Sequence, residues 1–212
     1  SFIKIDMEDA LSVRFVGYNK TNEIVYLVDS RGRDTSALYT LNLETGEKSL
    51  VAEDPKSDFG GAMTHPTGKN LQAVAFYYDT LQWIIIDPSI EEDMEYLSQL
   101  ESGEVRVVSR SLDDKIWIVV YTVDDGPARY YYYDRSEKQA KFLFTDREEL
   151  EDKSLSKMVP VVIKSRDDLD LLSYYTLPPG SDTDGDGLLD HPLPMVLYVH
   201  GGPWSRVYWG MD

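Results

Sequence analysis

The sequence predicts a mainly β protein in two parts: a run of short antiparallel strand units, then a second region that closes on a buried strand and a glycine turn. Three observations predict it. Short β-branched and aromatic runs alternate with turn residues from about residue 11 to 145. Within that stretch, aromatic-centred strands recur at a near-constant spacing. After Lys157 the character changes, and the chain ends in LPMVLYVHGGPWSR (193–206) and a few residues more.

The elements follow in order. Residues 13–18 and 23–29 read as strands separated by the turn at 19–22, and 37–43 as a third strand. The turn at 44–47 leads into a short return strand. Further strands are predicted at 71–78, 81–87, 104–109, 115–122, 129–134 and 140–144. One helix interrupts them. Ser89 and Glu92 read as a capping box, Ile90, Met94, Leu97 and Leu100 recur at helical spacing, and Gly103 stands where a C-terminal cap belongs. Thr145 and Glu148 read as a weaker box opening a short helix.

Tyr39 in ALYTLNL, Trp83 in LQWIIID and Tyr130 in ARYYYYD occupy like positions roughly every 45 residues, within the ~40–50-residue period of propeller blades. The expectation is therefore a partial β-propeller over 1–150, about three C-terminal blades, with a plain antiparallel sandwich as the alternative. Beyond the division near 150–157, strands are expected at 158–164, 169–177 and 194–199.

Composition narrows the function classes. Over 212 residues the hydrophobic fraction is 42% and the charged fraction 28%, ordinary for a globular chain with a real core. The 15 tyrosines favour strands. A net charge of −17 repels phosphate backbones and argues against a nucleic-acid partner. There is no cysteine, hence no disulfide and no thiolate metal site. That suits a cytoplasmic protein and equally permits export. No apolar run reaches the ~20 residues needed to span a bilayer, so no membrane role is expected. The missing initiator Met and the stop at Asp212 suggest a piece of a longer chain.

The chemistry-bearing segment is the last one. An apolar run leads straight into His200-Gly201-Gly202-Pro203. In α/β-hydrolases a glycine-rich turn after an early strand supplies one backbone N–H of the oxyanion hole, and glycine lets the backbone approach the substrate carbonyl. Such a donor is worth about 2.7–4 kcal/mol in the transition state. A turn closing a hairpin is the alternative.

Taken with LYTLNLETGEKSLVAEDP, WIIIDPSIEEDMEYL, VVSRSLDDKIWIVVYTVDDGPARYYYYDR and MVPVVIKSRDDLDLLSYYTLPPG, this segment resembles the prolyl oligopeptidase family of serine peptidases, in its acylaminoacyl-peptidase and dipeptidyl-aminopeptidase branch. The resemblance implies a β-propeller ahead of an α/β-hydrolase domain, here 151–212 and truncated, and short peptides as substrate. It implies that Gly201 and Gly202 form the oxyanion turn, with Gly202 N–H the donor, that His200 shapes the turn, and that Trp204 and Arg206 line the cleft. Two departures stand out: Val207 where relatives carry Asp, and Arg166-Asp167-Asp168 where they read Arg-Asp-Gly.

No G-x-S-x-G elbow occurs in the sequence, and Ser205 lacks that context, so the chain alone is expected to be inactive. His65 and His191 read as surface residues. Separately, Asp182, Asp184, Asp186 and Asp190 stand at positions 1, 3, 5 and 9 of an EF-hand-like loop, with Gly187 at 6 and the Leu188 carbonyl at 7. Calcium is the candidate ion; position 12 is Leu193 and no helices flank the loop. A real site would point to a periplasmic or extracellular parent. The other function classes left open are a non-catalytic propeller binding module with this calcium loop, and an esterase or lipase of the same hydrolase fold. Oligomeric state is not legible.

Overall fold

The computed structural model describes residues 3–202 and 205–211. Four antiparallel sheets form in chain order. Strands β1 (Arg14–Tyr18), β2 (Ile24–Asp29), β3 (Ala37–Asn42) and β4 (Lys48–Ala52) make a four-stranded meander. β5 (Phe59–Thr64), β6 (Leu71–Tyr77) and β7 (Leu81–Ile85) make a three-stranded one, followed by α1 (Glu91–Leu100). β8 (Glu104–Arg110), β9 (Ile116–Thr122), β10 (Arg129–Asp134) and β11 (Gln139–Thr145) make the third meander, and β12 (Met158–Lys164) pairs β13 (Asp170–Thr176) as a hairpin. Tyr39, Trp83 and Tyr130 all lie on the third strand of their meander, so the sequence period is a structural one.

The described chain falls into two compact units. One comprises Ser1–Leu100, Ser109–Trp117 and Tyr133–Gln139; the other comprises Glu101–Val108, Ile118–Tyr132 and Ala140–Asp212. In the first, the period-2 alternation of β2 sends Tyr26 and Val28 into a core with Leu38, Phe59, Val74 and Phe76. All seven residues of β6 are buried, as expected of a central strand covered on both faces. Truncating a residue such as Leu38 would cost about 2–5 kcal/mol.

The first unit also buries charge. Asp93 and Asp114 are 1% and 3% exposed. Arg135 joins them, donating from Nε to Asp93 at 2.8 Å and from Nη1 to the Asp114 carboxylate at 2.6 Å. Arg110 forks onto Asp114 at 2.6 and 2.5 Å, and Lys138 and the Tyr133 hydroxyl reach Asp93 at 2.6 and 2.8 Å. Both guanidinium groups lie over the Trp117 ring, at 4.9 and 4.7 Å from its centroid.

Each sheet opens with the same hairpin device. Asn22, Lys69, Asp114 and Asp168 all have left-handed φ, between 57° and 65°, in the turn joining the first two strands of their sheet. In the third and fourth sheets the motif is a repeated Ser-x-Asp-Asp. Ser111 Oγ accepts from Lys115 and Ile116 N–H, and Ser165 Oγ accepts from Leu169 N–H. Asp168 thus takes a left-handed shape that glycine adopts most readily, since Asp tolerates this region better than most side chains.

Several expectations need correction. The helix is present, and Ile90, Met94 and Leu97 are buried as its stripe requires. Its cap, however, is Asp87, whose carboxylate accepts from Ser89 N–H at 2.9 Å ahead of a 3-10 turn at Pro88–Ile90. The second capping box does not form: the 3-10 turn Glu148–Leu150 has no side-chain cap, and Thr145 Oγ1 is buried without a partner among the described residues. The pattern does not predict β5, because its strand formers Phe59 and Thr64 stand only at its two ends around Gly60-Gly61-Ala62; a Cβ at Gly60 would sit a tight 3.2 Å from the Ala75 carbonyl oxygen. Residues 194–199 carry no strand pairing, and Met195 and Val196 are 86% and 90% exposed. An extended apolar run becomes a strand only when neighbours take its backbone hydrogen bonds, and none of the described residues does. Among the described residues no helix is long and apolar enough to cross a membrane.

Candidate functional site

The glycine turn lies in the second unit, directly after the exposed run 194–199. His200, Gly201 and Gly202 are all exposed, and Gly202 has φ 153°, a conformation open to glycine. A Cβ at Gly201 would meet nothing within 4 Å, so that position leaves open approach to the backbone. The His200 ring lies with Nδ1 2.8 Å from the Gly201 carbonyl oxygen. A carbonyl only accepts, so Nδ1 carries the proton and donates. The Gly201 carbonyl and the Gly202 N–H are opposite edges of one planar trans peptide. Holding the carbonyl therefore sets the direction of the Gly202 N–H.

Arg206 is half-buried. Its Nε donates to the Val207 carbonyl at 3.2 Å, and its guanidinium lies 5.1 Å from the Tyr208 ring centroid. Trp204 and Pro203, the remaining residues assigned to this turn and cleft by resemblance, lie outside the described residues. Ser205 and His191 are exposed. His65 organises its own turn, its Nδ1 accepting from Gly68 N–H at 2.9 Å.

The acidic loop folds back on itself. Asp182 accepts from Gly185 N–H at 2.8 Å, Asp186 N–H at 3.1 Å and Gly187 N–H at 2.9 Å. Gly185 and Gly187 have φ of 74° and 81°, which permits the tight winding. One oxygen from each of Asp182, Asp184 and Asp186 lies within 4.8 Å of the others. Asp190 stands outside that trio, its carboxylate accepting from Thr183 N–H at 3.3 Å, and Leu188 donates its own N–H to Asp186 at 2.8 Å. The donors are hard oxygens, the set that calcium or magnesium takes in preference to zinc. Tyr175 ties the loop to β13, its hydroxyl donating to the Gly187 carbonyl at 3.1 Å.

No family model matches the chain. It is 43% identical over 209 residues to dipeptidyl aminopeptidase BIII of Pseudoxanthomonas mexicana, covering 99% of this chain and 30% of that protein. It is 28% identical to dipeptidyl peptidase family member 6 of Caenorhabditis elegans, covering 100% of this chain and 31% of the relative. The chain thus spans about a third of the length of the curated relatives it matches. A solved prolyl endopeptidase structure superposes with TM-score 0.50 at 11% identity, over 76% of this chain and 24% of that one. These relatives are hydrolases of the peptidase class, and the antiparallel sheets are similar to the β-propeller domain of prolyl oligopeptidases. The chain is therefore similar to one segment of peptidases of the prolyl oligopeptidase family.

Proposed function

We propose that the whole protein is a serine-type peptidase that acts on short peptides or on acyl- and aminoacyl-peptides. In this reading residues 1–150 supply propeller blades that filter substrates by size. Residues 151–212 open the α/β-hydrolase domain, and the Gly202 N–H is a donor to the oxyanion. One observation carries the reading: an apolar run delivers the His200-Gly201-Gly202 turn in a chain 43% identical, nearly end to end, to a dipeptidyl aminopeptidase. The names of both relatives make release of dipeptides the first activity to assay.

The chemistry asked of this chain is modest. As the nucleophile attacks, the substrate carbonyl oxygen gains charge. A preorganised N–H aimed at that oxygen stabilises it more in the transition state than in the ground state. His200, by holding the far edge of the same peptide, keeps that donor aimed. Nucleophile, base and acid come from elsewhere in the protein.

The test compares two proteins on dipeptidyl and single-aminoacyl 4-nitroanilides. The whole protein should turn the dipeptidyl substrate over, and purified residues 1–212 should not. Inactivity of the whole protein on both substrates, or turnover by residues 1–212 alone, would refute the reading.

The acidic loop is assigned to calcium on the convergence of the Asp182, Asp184 and Asp186 oxygens. The ion would neutralise their mutual repulsion and stiffen the loop. Calorimetric titration of the chain with Ca²⁺ should give heat and a raised melting temperature, both abolished by Asp184→Ala. A flat titration with unchanged melting disposes of the site.

A further inference from the structure

The segment that follows the glycine turn does not trail into solvent. It returns to one corner of the third meander and is fixed there at three consecutive residues. Met211 N–H donates to the Val123 carbonyl at 2.9 Å. Trp209 Nε1 donates to the Met158 carbonyl at 2.9 Å, and Met158 N–H in turn donates to the Asp124 carboxylate at 2.8 Å. Gly210 is buried with φ 125°, and a Cβ there would stand 2.6 Å from Thr122 Cγ2. The same corner is approached by a second glycine, Gly103, whose Cβ would lie 2.3 Å from the Thr122 carbonyl oxygen and 2.9 Å from Val123 Cγ1. Residues 122 and 123 are thus contacted by two backbones, each admitted only because it lacks a side chain.

The geometry points to Trp209, Gly210 and Met211 as a mooring that positions the Gly201–Gly202 turn. It ties the chain eight or so residues past the turn to the 122–124 corner and to the first residue of β12. Only about eight residues separate the two points, a reach of at most ~29 Å fully extended, so the mooring bounds where the turn's N–H can stand relative to that corner. These are positioning residues, acting on the oxyanion donor through the backbone. The inference rests on the peptidase reading for its consequence and on the hydrogen bonds alone for its existence.

Two variants test it. Trp209→Phe deletes the indole donor and keeps an aromatic ring; Gly210→Ala places a methyl group against Thr122. In the 212-residue chain, hydrogen–deuterium exchange of peptides covering 205–211 should rise about tenfold in both, while peptides from β2, β3 and β6 exchange as in the wild type and so confirm folding. Wild-type-like exchange at 205–211 in Trp209→Phe, or an unprotected Met211 amide in the wild type, overturns the mooring. In the whole protein, Trp209→Phe should lower kcat several-fold with KM unchanged. A raised KM at unchanged kcat overturns the positioning role, because it marks a substrate contact instead. A wild-type whole protein silent toward peptides refutes the peptidase reading, while the exchange result still decides the mooring.

Discussion

Two glycines of one corner show how differently the same residue type is used. Gly103 has φ 106°, and a methyl group there would fall 2.3 Å from the Thr122 carbonyl oxygen. That contact is with backbone, which cannot swing aside as the end of a long side chain can. Gly126 has its nearest neighbour, Val123 Cγ2, at an ordinary 3.5 Å and no left-handed φ. Gly103→Ala should therefore destabilise by about 2–4 kcal/mol, from overpacking and strain together. Gly126→Ala should be neutral or stabilise by up to ~1 kcal/mol through the unfolded state. Urea melts of the two variants check this, and equal effects would show that the corner yields. Nothing in the sequence separates these two glycines, because the distinction lies in what packs against each; the reading of Gly103 as a helix cap found the residue and missed its reason.

At the scale of elements, Arg135 joins β10 to α1 and to the β8–β9 turn. Besides the two buried carboxylates it donates to the Ser89 and Asp114 carbonyls, at 2.8 and 2.9 Å. Its planar fork meets all four acceptors from one position, which a lysine ammonium cannot do. Arg135→Met leaves Asp93 and Asp114 buried with one cation fewer each, though Lys138 and Arg110 remain. The expected cost is about 2–4 kcal/mol, and Arg135→Lys should recover less than half of it. Full recovery by lysine would refute the bridging role. None of this pairing was legible beforehand, since Asp93 and Arg135 are 42 residues apart with no pattern joining them. The strands were legible where β-branched and aromatic residues cluster, and the Tyr39, Trp83 and Tyr130 repeat marked like positions, which the structure shows to be the third strand of each meander. The repeated Ser-x-Asp-Asp at 111–114 and 165–168 was also in plain view; it spells a hairpin turn with a left-handed Asp, a device read as such at neither position.

For the molecule as a whole, the glycine turn was found by its motif, whereas its mooring at 209–211 was invisible because Trp209 and Gly210 match nothing by spacing. Global stability should depend on pH at both ends. Asp29, 1% exposed, is held well below the usual carboxylate range by its hydrogen bonds with Arg31, joined by Lys48, against the opposing effect of burial. A depressed folded pKa contributes stability above the unfolded value near 4, lost as pH falls below it. At the other end, burial and then the hydrogen bond to Glu101 push Tyr131 up to about 12, and Tyr133 is raised by burial and by Asp93. A raised folded pKa is the opposite case: its stabilisation is whole below the unfolded value near 10 and disappears as pH climbs toward the folded one. Above pH 10 the unfolded chain sheds phenol protons that the folded chain retains, so unfolding gains roughly 2–3 kcal/mol from Tyr131 alone by pH 12. Urea melts at pH 7, 9, 10 and 11 should hold level to about pH 9 and then fall. Tyr131→Phe should start lower, having lost the Glu101 bond, yet decline less steeply above pH 10, with Tyr133 responsible for what slope remains. An alkaline limb as steep in Tyr131→Phe as in the wild type would mean that the buried phenols are not its source.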